Sequence, residues 1–135
     1  MNIKGFVKSS LAFPLVIFII SVLVINPLGE FVINDDWLFS RQVLAFTLGQ
    51  FKINSLIDPV FILQGILGYG WTSLFGFSHS ALRILTLFVT VGAAWGLHKI
   101  LKHHEVSAGL RRLVMLVFLF NPLIYTSSFS FMTEN

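Results

Sequence analysis

Long apolar runs without a charge dominate the chain. Ser9–Gly29, Pro59–Leu82, Ile84–His98 and Leu113–Thr133 contain no Asp, Glu, Lys or Arg. One charged residue at the centre of a membrane helix costs about 2.5–3.5 kcal/mol on the insertion scale, so runs this long carry structural information. The first follows Lys4 and Lys8 and reads LAFPLVIFIISVLVINPL. Pro14 sits near its start, where a missing N–H matters least. A secretory signal peptide begins in the same way, but no small-residue cleavage pattern follows Asn26-Pro27. An uncleaved span over about residues 10–28 is the expectation. The third run, extended by a turn at each end, predicts a span over about residues 80–101. Ser78 or Ser80 can cap it, and Arg83 in its first turn can snorkel to the interface. The fourth run predicts a span over about residues 112–127, which Asn121-Pro122 would interrupt or kink.

Composition turns these runs into a membrane expectation. Hydrophobic residues make up 56% of the 135 and charged residues 11%, with 15 Phe. A soluble domain carries roughly 25% charged residues, so the polar surface for a water-soluble core is lacking. Disorder is excluded by the same numbers. With no Cys, disulfides, zinc–thiolate sites and cysteine nucleophiles are excluded. The net charge of +3 lies mostly at the ends of apolar runs. That is a topology signal rather than the basic stripe a nucleic-acid partner would need.

Charge placement also orients the chain. Lys102, Arg111 and Arg112 flank the most basic loop, KHHEVSAGLRR, which belongs on the cytoplasmic side with the N-terminus. If Pro59–Gly76 spanned, that loop would face outward. If it instead lies in the outer interface, six of nine basic residues are cytoplasmic and five of six acids external. The expected fold is thus an all-α integral membrane protein with about three transmembrane helices. Two external juxtamembrane helices, about 36–50 and 59–76, occupy a loop at 29–79. Tyr69 and Trp71 would anchor the second. In the first, Trp37, Leu44, Leu48 and Phe51 share one side at helical spacing, and Arg41 lands near it.

Candidate chemistry centres on acids. Asp35 and Asp36 follow the first span, near the outer surface, where a carboxylate's proton affinity is tunable. One of two adjacent carboxylates can take a proton from a nucleophile while the other orients an acceptor or a divalent metal ion. The same pair would equally well cap a helix. Glu134, after the Ser/Thr-rich end of the last run, arrives on the same side, and an ordinary helix-start carboxylate is its plainer reading. His103-His104 reads as a solvated pair, and His79 and His98 as interfacial residues. There is no dinucleotide fingerprint, phosphate loop or serine-nucleophile motif, and Gly65, Gly68 and Gly76 read as packing or turn positions.

Several stretches in order resemble the N-terminal part of GT-C-fold membrane glycosyltransferases, closest to bacterial relatives of protein O-mannosyltransferases and the lipid A aminoarabinose transferase. They are Asn34-Asp35-Asp36-Trp37, Gln64-Gly65, Leu74-Phe75-Gly76-Phe77-Ser78, Ala81-Leu82-Arg83, Phe120-Asn121-Pro122 and Phe131-Met132-Thr133-Glu134. The resemblance implies an inverting transfer of sugar from a polyprenyl-phosphate donor to a hydroxyl acceptor on lipid, glycan or protein. It implies a bacterial inner-membrane location with the acidic loop external. Asp35 would be the general base. Asp36 would assist orientation or contact a divalent metal, and Glu134 would position the acceptor. Arg41 and Arg83 are the candidate phosphate contacts on that side. Ile57-Asp58-Pro59 departs from the family's basic residue before two prolines. The resemblance further implies an N-terminal fragment that is inactive alone. The rival reading is a complete small membrane subunit or scaffold.

Overall fold

The computed structural model describes residues 9–31, 36–54, 57 and 61–131. Among these described residues 74% are helical and none lies in a strand, so the chain is all-α. The helices are α1 (Ala12–Ile25), α2 (Asp36–Thr47), α3 (Phe61–Phe75), α4 (His79–His103), α5 (Ala108–Leu119) and α6 (Pro122–Ser127). Two compact units form, Met1–Pro27 with Phe88–Thr126, and Leu28–Leu87 with Ser127–Asn135.

Helix ends account for the departures from the expected spans. The Ser9 hydroxyl accepts the Ala12 N–H at 3.0 Å near the start of α1. At the other end Asn26 turns left-handed (φ 50°), and its N–H closes on the Val22 carbonyl. Pro27 cannot continue the helix. The resulting 14 residues reach about 21 Å, short of the roughly 30 Å hydrocarbon core. The fourth run is also not one helix. Pro122 lacks an N–H, and the Asn121 side-chain oxygen accepts the Leu123 N–H at 3.0 Å, starting α6 afresh. The expected spans at 10–28 and 112–127 are therefore shorter, and the second is broken.

Helix α4 alone, among the described residues, is long and apolar enough to cross a membrane by length and composition. It has 25 residues, and only 6% of its apolar window is buried. Ser78 caps it, accepting the Ala81 N–H at 2.9 Å. It ends in a Schellman turn: Val106 N–H reaches the Leu101 carbonyl and Glu105 N–H that of Lys102, both at 3.1 Å. Glu105 takes the left-handed position, φ 55°, which glycine normally fills.

In the first unit α1 packs on α5. Phe18, Met115 and Leu119 are fully buried. Phe18 meets the edges of Phe120 and Tyr125 at ring distances of 6.3 and 5.8 Å. The Tyr125 hydroxyl donates to Ser21 Oγ at 3.0 Å, which gives a phenol among apolar neighbours its partner.

The second unit is built on α2 against α3. Its core joins Phe39, Val43, Ile57, Phe61, Leu82 and Phe131. Burying each large side chain contributes about 1.5–3 kcal/mol relative to exposure. The helices approach closely because α3 turns small residues inward at Gly65, Gly68 and Thr72. A Cβ on Gly68 would lie 2.8 Å from Phe131 and 2.9 Å from Val43. Helix α3 has 15 residues, or about 22 Å, too short to cross the hydrocarbon core unaided. Helix α2 stops at Thr47 in a second Schellman turn, where Gly49 is left-handed (φ 79°). Its expected apolar side is not its buried side. Phe39 and Val43 face the core, while Trp37 and Leu48 are 41% and 69% exposed.

Candidate functional site

The acidic element meets Arg83 at the start of α4, all within the second unit. Asp36 opens α2, where a carboxylate suits the positive end of the helix dipole. Its Oδ2 accepts from Arg83 Nη2 at 3.1 Å, and the two side chains are 1% and 0% exposed. Arg83 Nη1 also donates to the Gly29 carbonyl at 3.0 Å, and Nη2 to that of Phe31. The guanidinium lies 4.6 Å from the Phe31 ring centroid. One planar fork thus joins the segment 29–31 and the start of α2 to α4, a geometry a lysine could not reproduce. This corrects the expectation that Arg83 snorkels to the interface: its stem points inward, and its Nη1 and Nη2 donate to a buried carboxylate and two carbonyls.

Glu30 fastens the same segment from the opposite direction. Its carboxylate accepts the His79 N–H at 3.0 Å and the Ser80 N–H at 3.3 Å. These are among the first N–H groups of α4, which have no partner inside the helix. What burial Glu30 has pushes its pKa up. The His79 and Ser80 N–H bonds and the nearby His79 charge outweigh that and hold it below the ordinary glutamate value.

The remaining candidates separate. Arg41 is exposed, with its guanidinium 5.9 Å from the Trp37 ring centroid. Asp35 and Glu134 lie outside the described residues, as does Asp58. Among the described residues no group of three or more His, Asp or Glu comes together to hold a metal ion. Asp36, the one described carboxylate expected to contact a metal, is committed to Arg83. Sequence reasoning missed Glu30 as a helix clamp. Its only signal was an acid closing an apolar run, about fifty positions before the N–H groups it caps.

No family model, curated protein or solved structure matches the chain.

Proposed function

We propose that the chain forms the base-bearing, amino-terminal part of an inverting membrane glycosyltransferase, with α4 crossing a bacterial inner membrane. In this reading α1, lengthened by the apolar residues on either side of it, crosses as well, so that the N-terminus is cytoplasmic and the acidic loop external. The observation that supports it most is the buried Asp36–Arg83 pair, which fixes an acidic element at the head of the long apolar helix α4. Asp35, one peptide bond upstream, is the general base. It takes the proton of an acceptor hydroxyl, whose oxygen attacks the anomeric carbon of a polyprenyl-phosphate sugar. The bond from that carbon to phosphate oxygen breaks, and the leaving phosphate takes the negative charge. Glu134 positions the acceptor. Asp36 acts through position, with Arg83, rather than on substrate.

The departing phosphate needs cationic stabilisation. Arg83 is committed to Asp36, which leaves Arg41 and Lys52 on the outer side, so the reading requires further cationic groups from outside these residues. The test is donor-dependent sugar transfer in membranes carrying the whole protein. Asp35→Asn abolishes transfer while membrane insertion is unchanged. Full activity in that variant would refute the assignment. A second reading, a membrane subunit or scaffold, draws on uncovered apolar faces: Val24 is 79%, Leu74 80% and Leu63 68% exposed. Absence of donor-dependent transfer by the whole protein favours it.

A further inference from the structure

Away from the Asp36–Arg83 pair, α2 and the turn after it enclose an open groove of about 650 Å³. Trp37 and Ile53 give it an apolar border, and Arg41, Gln50, Lys52 and Asn54 line its polar part. Its shape is braced by a buried side chain. Gln42, 5% exposed, donates to the Lys52 carbonyl at 3.0 Å and accepts the Asn54 N–H at 2.9 Å. The segment that carries Lys52 is thereby held against the helix that carries Arg41. Among the described lining residues there is no acid, and among the described residues neither Arg41 nor Lys52 has an ion pair. Two exposed cations in a concave site whose described lining carries no counter-charge raise the local concentration of anions.

The surroundings indicate which anion. Trp37, on the border of the groove, is 41% exposed, and Leu48, just after α2, is 69% exposed. A free phosphate would leave these side chains in water, whereas acyl chains would cover them. We propose that this groove binds the phosphate of an anionic lipid headgroup. Arg41 and Lys52 hold the phosphate oxygens, and Trp37 and Leu48 lie toward the acyl boundary. The inference rests on the membrane reading above and not on sugar transfer.

The experiment reconstitutes the full chain in nanodiscs of phosphatidylcholine with phosphatidylglycerol and identifies retained lipid by native mass spectrometry. The wild type retains phosphatidylglycerol preferentially. The double variant Arg41→Gln/Lys52→Gln loses that preference by on the order of tenfold to thirtyfold, as expected for two surface cations. Both residues are exposed, so the fold is kept. An unchanged preference in the Arg41/Lys52 variant overturns the proposal. So does thermal stabilisation by inorganic phosphate alone without any lipid preference, which would make the ligand a soluble phosphate. Alkaline carbonate extraction tests the membrane reading separately. Release of the chain sinks that reading, whereas firm retention without lipid preference sinks only the groove.

Discussion

Breaking the Asp36–Arg83 pair from one side is the sharpest test of how the second unit is held. At 3.1 Å and an effective dielectric of about 20, the Coulomb attraction is about 5 kcal/mol. Removing both ions from water costs several kcal/mol each, so the pair contributes little net stability. Losing one partner is different, because the other charge stays buried and uncompensated, at a cost of about 3–5 kcal/mol. Asp36→Asn belongs at the lower end, since Arg83 keeps the Gly29 and Phe31 carbonyls. Arg83→Met belongs at the upper end, because it deprives the carboxylate and both carbonyls at once. For a chain of this size the expected fall in Tm is roughly 10–20 °C. Thermal unfolding of the purified protein in detergent, followed by far-UV circular dichroism, reads it. The double variant Asp36→Leu/Arg83→Met removes both charges together and should recover at least about half of the loss. Added salt should change little, because both groups are shielded from solvent. If each single variant lies within about 0.5 kcal/mol of the parent, the pair does not anchor the loop and the reasoning fails.

Other substitutions probe the local geometry. Gly68→Leu forces a side chain into the close approach of α2 and Phe131, and should destabilise by about 1–3 kcal/mol in the same melt. Glu105→Gly relieves a left-handed non-glycine residue at the end of α4 and should raise stability by about 0.5–1 kcal/mol; a loss would argue against the Schellman turn. Glu30 has a lowered folded pKa, so its clamp is at full strength above the usual carboxylate range. It is lost as pH falls through the folded value. The stability difference between wild type and Glu30→Gln should therefore shrink steadily below about pH 4.5, and a difference independent of pH would refute the clamp.

The sequence by itself determined helical content, the long apolar run that becomes α4, and the break at Asn121-Pro122. Each follows from a local cause: propensity, uncharged length, or a missing N–H. The tightness of α3 was also legible, because Gly65 and Gly68 have no Cβ to hold a neighbour away. Only the tertiary structure decided the fate of Arg83. Its place in the first turn of a helix is compatible with snorkelling or burial, and the choice depends on a carboxylate 47 positions away. The same holds for α2. Helical spacing picked out Trp37 and Leu48, but Phe39 and Val43 became its core face because Phe61, Leu82 and Phe131 lie against them. Periodicity records which residues share a side. Which side is covered depends on contacts between distant segments, and no local window contains them.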